Sequence, residues 1–275
     1  MSAGDDPRAV AVVIPVWDDY VRWLEEAVDS VMSQGVAEQV IVVDNASAVA
    51  VQRLPGTTLV RAPQRLSTGA ARNLGLAAVR TPLVVFLDAD DLMLPGSLEA
   101  LVAGIGAERG VSAYCLGLVD GETGRRHRSP RRVARALARY PRAFAVANSI
   151  WSLLPTQGAT IMWADAPLAA GGYADRSQGE DWVLGVSLAW RGRVRFGEQS
   201  ALVYRWRGDS PGRLAGRPPL VANARSVRRR LRADPSIPLG VSLAMPLIAV
   251  AQLAAILGVR PLFLALRRLP AAAAR

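Results

Sequence analysis

Three carboxylates fall within four residues in the stretch VVFLDADD, where Asp88, Asp90 and Asp91 follow directly on an apolar run. Like charges this close repel, and burying them without a counter-charge is costly, so the pattern points to a cation or a cation-bearing ligand. Asp88 and Asp90 alternate around Ala89, which lets both reach one ligand across a tight bend. Paired carboxylates suit a hard divalent cation, magnesium or manganese, and such a cation commonly neutralises a diphosphate as it departs. A second acid pair, Glu180 and Asp181, opens the stretch EDWVLGVSLAW. At a helix start the macrodipole favours the Asp181 anion, which is expected to be ionised and able to take a proton. Taken alone, the first motif equally describes a solvated acidic loop, and the second an ordinary helix-start pair.

The apolar patterning supplies elements to hold these groups. Ala9 to Pro15 is a continuous apolar run ended by proline, a buried strand. Val21 to Met32 sets Val21, Leu24, Val28 and Val31 on one helical face. Glu38 to Ser47 reads as a second strand and TTLVRA as a third. Ser67 or Thr68 caps a helix to about Val79, TPLVVFLDADD is the fourth strand, and Pro95 opens a helix reaching about Ala107. VSAYCLGLV is a fifth strand. Buried strands alternating with short helices predict an α/β fold with a parallel sheet covered on both faces. In such sheets ligands gather at the carboxyl ends of the strands, where Asp44 and Asp88 both stand. Beyond Val119, Gly121 to Arg142 reads as a loop followed by a helix and GATIMWA as a strand. GEDWVLGVSLAWRG reads as a helix between Gly179 and Gly192, and RVRFGEQSALVYRW as a hairpin or two short strands.

The chain has 275 residues, 51% of them hydrophobic, which excludes global disorder. One cysteine, Cys115, rules out an internal disulfide framework, and one histidine, His127, leaves no serine triad or zinc site. The net charge is +10 and every other basic residue is arginine, clustered at Arg125 to Arg142 and at Arg205 to Arg232. Such patches suit phosphates, anionic headgroups or nucleic acid, or form a plain solvated basic face. MSAGDDPRAV carries no signal-peptide pattern, so a cytoplasmic protein is expected. Pro235 to Val259 lacks any charge and is about long enough to span a bilayer. Pro238, Gly240, Pro246 and Gln252, with arginines on both flanks, favour instead a segment packed on the domain or lying in the cytoplasmic face of a membrane.

The ordered set VVIPVWDD, LEEAVDSVMSQ, VIVVDNAS, STGAARNLGL, VVFLDADD, GGYAD, GEDWVLGVSLAWRG and VYRWRGDS, from about Val10 to Ser210, resembles the family 2 glycosyltransferases. That resemblance implies a GT-A fold with a mostly parallel, Rossmann-like central sheet flanked by helices. It implies a GT-A domain over residues 1–210, its nucleotide-sugar half about 9–119 and its acceptor half about 120–210. Residues 211–275 would then be an Arg-rich linker and a hydrophobic C-terminal helical extension. The implied activity is inverting transfer of a hexose or deoxyhexose from a nucleotide-diphosphate sugar to a glycan, glycolipid or other hydroxyl acceptor. A divalent metal, manganese or magnesium, would assist. Apart from the resemblance, the basic patches and the uncharged C-terminal segment point to an anionic membrane surface as a further partner, and no specific nucleic acid is expected. Carried onto this chain, Pro15, Val16 and Asp18 would line base and ribose, and Asp44 would contact one of them. Gly69, Arg72 and Asn73 would lie near the nucleotide. Asp88 would hold ribose or metal, and Asp90 the metal. Asp181, with Glu180 beside it, would be the general base. Arg205 matches the downstream strand motif, and Arg207 stands where histidine is frequent, so it would pair with a diphosphate oxygen rather than a metal. Asp91 is expected to turn outward or position the loop. Rival readings are a nucleotidyltransferase of related fold and a non-catalytic binder of membrane surfaces or nucleic acid.

Overall fold

The computed structural model describes residues 6–125, 131–205 and 217–268. Its sheet has eight strands in the order β3-β2-β1-β4-β7-β6-β8-β5. These are β1 (Val10–Val16), β2 (Ala37–Asp44), β3 (Thr58–Arg61), β4 (Leu83–Phe86), β5 (Leu92–Met93), β6 (Val111–Asp120), β7 (Thr160–Trp163) and β8 (Arg193–Tyr204). β1 pairs in parallel with β2 and β4, β2 with β3, and β6 with β8. Only β7 and the short β5 run against their neighbours. β1 and β4 are buried along their whole lengths, as continuous apolar runs without alternation require.

The helices are α1 (Val21–Met32), α2 (Thr68–Leu76), α3 (Ser97–Ile105), α4 (Arg131–Leu137), α5 (Pro141–Ile150), α6 (Asp165–Ala169), α7 (Glu180–Arg191), α8 (Arg217–Ala233), α9 (Leu239–Leu243) and α10 (Met245–Arg268). α1 and α7 begin and end where the sequence places them. α3 starts two residues after Pro95, because Gly96 takes a left-handed φ of 70° at the N-cap. The expected hairpin at RVRFGEQSALVY is instead one strand, β8. Its register against β6 jumps from Cys115↔Phe196 to Gly117↔Ser200, so Gly197, Glu198 and Gln199 face Leu116 alone. The turn-like triplet is therefore a bulge; a Cβ at Gly197 would overlap the Tyr114 ring.

One face of the sheet buries Leu24, Val28 and Val31 of α1 with Leu98, Leu101 and Ile105 of α3. The other takes Ala71 and Leu76 of α2 with Leu184 and Leu188 of α7. A further apolar cluster joins Phe144 of α5 and Trp182, Val186 and Trp190 of α7 to Val227 and Leu231 of α8 and to Met245, Ile248 and Ile256 of α10. Residues beyond 210 thus share a core with residues before it. Gln252 of α10 lies inside this layer, its Nε2 donating to the Ser149 carbonyl at 2.8 Å. Asp234 ends α8 against Arg191 of α7 at 2.8 Å. Among the described residues no helix is long and apolar enough to cross a membrane. The uncharged stretch is broken between α9 and α10 at Ala244.

Candidate active site

The buried centre of the site is Arg72, on the first turn and a half of α2, only 4% exposed. Its Nη2 donates to Asp88 Oδ1 at 2.6 Å, its Nη1 to Glu180, and its guanidinium lies over the Tyr173 ring at 5.5 Å from the centroid. One planar fork thereby joins the end of β4 to the start of α7, the two halves of the chain. Gly179, at φ 73°, starts α7, and a Cβ there would collide with Asn223 of α8. This turn delivers Glu180 and Asp181 beside Arg72. Asp181 accepts the Trp182 N–H at 2.7 Å. Burial pushes the Asp181 carboxyl above the ordinary aspartate range, against the pull of Arg72. Burial likewise pushes Glu180 up, opposed by Arg72 and reinforced by Asp181. The macrodipole expected to keep Asp181 readily ionised is therefore outweighed by desolvation. Trp182 is a packing residue, its indole N–H donating to the Asn148 carbonyl at 2.6 Å.

Asp88 and Asp90 are partly exposed at the strand end, whereas Asp91 is 2% exposed. Asp91 does not turn outward. It accepts the Arg205 backbone N–H at 3.1 Å and so ties the acidic loop to the end of β8. Burial and the neighbouring charges of Asp88 and Asp90 raise the Asp91 carboxyl well above its usual range. The Tyr204 phenol is raised by burial and by the same acids. The Arg205 guanidinium is directed to Glu26 of α1, and its buried Nη1 has no hydrogen-bond partner among the described residues. Arg207 lies outside the described residues. Among the described residues no group of three or more acid, histidine or cysteine side chains is arranged to hold a metal.

The acids of β2 and β4 do not meet. Asp44 is fully buried and closes its own loop, accepting Ser47 N–H at 2.9 Å, Val51 N–H at 3.2 Å and the Arg61 guanidinium. Although burial works to raise it, these hydrogen bonds and Arg61 bring its carboxyl below the usual aspartate value. Such a group stabilises the fold above the unfolded-state pKa and loses that contribution as pH falls through its folded-state pKa. Asp44→Asn is accordingly expected to lower the melting temperature at pH 7, with the gap to wild type closing below about pH 4. Thermal melts across pH read this directly. Asn45 latches the next loop by exchanging two hydrogen bonds with Leu66, at 3.0 and 2.8 Å.

Pro15 and Val16 are buried in β1, and the Val16 carbonyl accepts Asn45 N–H at 2.9 Å. Asp18, strained at φ 40°, stands on the rim. Its carboxylate accepts Ala48 N–H at 2.9 Å and Arg65 Nη1 at 3.0 Å, while Arg65 covers the Trp17 ring at 4.6 Å. Gly69 and Asn73 tie the two halves together. The Gly69 N–H donates to the Arg176 carbonyl at 3.0 Å, and a Cβ there would overlap the Ala174 carbonyl and crowd Glu180. The Asn73 carboxamide bonds both ways to the Tyr173 backbone, at 2.9 and 2.8 Å. Gly69→Ala is expected to destabilise by about 1–3 kcal/mol through overpacking, measurable as a shifted denaturant midpoint. Sequence reasoning assigned no role to Tyr173, which it read only as part of GGYAD, or to Arg61 and Arg65, because their roles depend on tertiary neighbours.

The profile of the family described as Glycosyl transferase family 2 matches residues 11–161, more than half of the chain. No curated protein matches the sequence. Among solved structures, TarS 1-349 of S. aureus superposes with a TM-score of 0.61 at 14% identity, over 89% of this chain and 70% of that one. Its complex with UDP-GlcNAc gives 0.62 at 14% identity over 82% and 67%, and its complex with UDP 0.63 at 15% over 90% and 71%. At that identity the likeness establishes the fold, a mixed α/β architecture of GT-A type.

Proposed function

The chain belongs to the family 2 glycosyltransferases, a nucleotide-sugar-dependent class, and on that premise we propose that it transfers a sugar with inversion, using Asp181 as general base. The observation that carries this reading is the Arg72 bridge, which sets Glu180, and Asp181 next to it, beside the strand-end acid Asp88. Asp181 accepts the proton of the acceptor hydroxyl as its oxygen forms a bond to the anomeric carbon. The bond from that carbon to the diphosphate breaks, and its electron pair leaves with the nucleoside diphosphate. A carboxyl raised by burial is a better match for this proton than an ordinary aspartate, because proton affinity rises with pKa.

Asp88 and Asp90 fit a divalent cation, manganese or magnesium: they are hard oxygen donors, both partly exposed, in a loop with surplus negative charge. The remainder of the shell would come from the diphosphate and water. When bound, the cation would neutralise charge on the leaving diphosphate. Arg72 holds Asp88 in place. Asp18, with Arg65 and Trp17, would form the rim for base and ribose, backed by Pro15, Val16 and Asp44. The acceptor would be a glycan, glycolipid or other hydroxyl compound, reached from the cytoplasm at a membrane face.

Because the S. aureus relative was solved with UDP and UDP-GlcNAc, uridine donors head the test series. Binding and hydrolysis of nucleotide sugars are measured with manganese, magnesium or chelator. Metal-dependent tightening for at least one donor is expected; equal affinity in metal and chelator across the series removes the Asp88–Asp90 assignment.

A further inference from the structure

α10 turns one face into the core through Met245, Ile248, Gln252 and Ile256, and α9 packs the partly buried Val241 against the same cluster. Their outer face carries Leu239, Leu243, Leu247, Val250, Leu253 and Leu257, between 47% and 76% exposed. Within α10, Leu247, Val250, Leu253 and Leu257 recur every three or four residues and so fall on one side of the helix, a stripe about 15 Å long at 1.5 Å per residue, while Leu239 and Leu243 are exposed on α9 just before it. No charged residue occurs between Ser236 and Val259. Six large apolar side chains exposed on two consecutive helices are not ordinary solvent-facing surface.

Beside it runs an arginine ridge. Arg225, Arg229 and Arg232 are exposed on α8 at helical spacing, and Arg228 among them reaches Gln252 on the inner face of α10, so the two helices pack together. Residues 217–268 hold nine arginines and one acid, Asp234, which is buried against Arg191. Two copies meeting through this face would bring the ridges together with no acid to offset their repulsion. An anionic lipid surface satisfies both parts at once, since leucines enter the acyl boundary while guanidinium groups meet headgroup phosphates.

We propose that α8, α9 and α10 form a peripheral docking face for an anionic bilayer. The helices lie in the interface without crossing it, in keeping with the lack of any helix among the described residues long and apolar enough to span. The proposal extends the reading of a membrane-face acceptor but does not depend on the transfer reaction. Its test is sedimentation of the full chain with vesicles of phosphatidylcholine alone or with phosphatidylglycerol added. Binding to the anionic vesicles is expected to exceed binding to neutral ones and to fall with salt. Arg225→Gln, Arg229→Gln and Arg232→Gln combined should weaken it roughly a hundredfold. Leu247→Asp with Val250→Asp should abolish it while circular dichroism melts stay unchanged. Equal binding to both vesicles, or none, overturns the proposal. So does a dimer, seen by light scattering, that the Leu247→Asp change converts to monomer, because the face would then belong to a second copy.

Discussion

Asp181→Asn is expected to lower sugar transfer by about a hundredfold to ten-thousandfold, the range typical of a lost general base, while leaving donor affinity within about twofold. The amide keeps an oxygen for the Trp182 N–H, so α7 should start as before. Donor titration separates the two effects, because the proposed part of Asp181 is toward the acceptor hydroxyl and not the donor. Burial raises the wild-type carboxyl, so the acid limb of the rate profile should lie above the ordinary aspartate value. As pH falls through that limb, Asp181 gains its proton and transfer is lost; the limb should vanish from the residual rate of the variant. Undiminished turnover in the variant would remove Asp181 as the base.

Arg72→Met should be the most destabilising single change in the site. It leaves Glu180, which is 6% exposed, without its counter-charge, and it frees Asp88 to repel Asp90 and Asp91. Removing one member of a buried ion pair costs about 3–5 kcal/mol, read as a large fall in denaturant midpoint. Arg72→Lys should recover only part of this, because a single ammonium cannot fork to two carboxylates from separate elements. If Arg72→Met unfolds at the same denaturant concentration as wild type, the bridge is not holding the two halves together.

Much of the scaffold was legible because its signals are local. The apolar runs at Val10–Val16 and Leu83–Phe86 could only be buried strands, and the glycines around Glu180–Arg191 marked that helix at both ends. β8 was not legible as one strand. Gly197, Glu198 and Gln199 carry turn chemistry, and only pairing with β6 decides that they bulge instead of reversing the chain. At the site, residue types were readable but their partners were not. Arg72 was picked out beside a helix start, yet nothing in the spacing shows that its fork is occupied by Glu180 and Asp88. Asp44 was picked out at a strand end, but Arg61 and two backbone N–H groups take up its oxygens. Asp91, adjacent to the expected metal acids, is drawn inward by a strand more than a hundred residues later.

The apolar cluster that Trp182 and Trp190 share with Val227, Leu231 and Ile248 bears on how the protein can be shortened. A fragment stopped near residue 210 would keep every acid assigned a chemical part, yet strip the cover from the back of α7, which carries Asp181. Such a trimmed enzyme is expected to precipitate or to lose turnover, since α7 would expose two indoles to water.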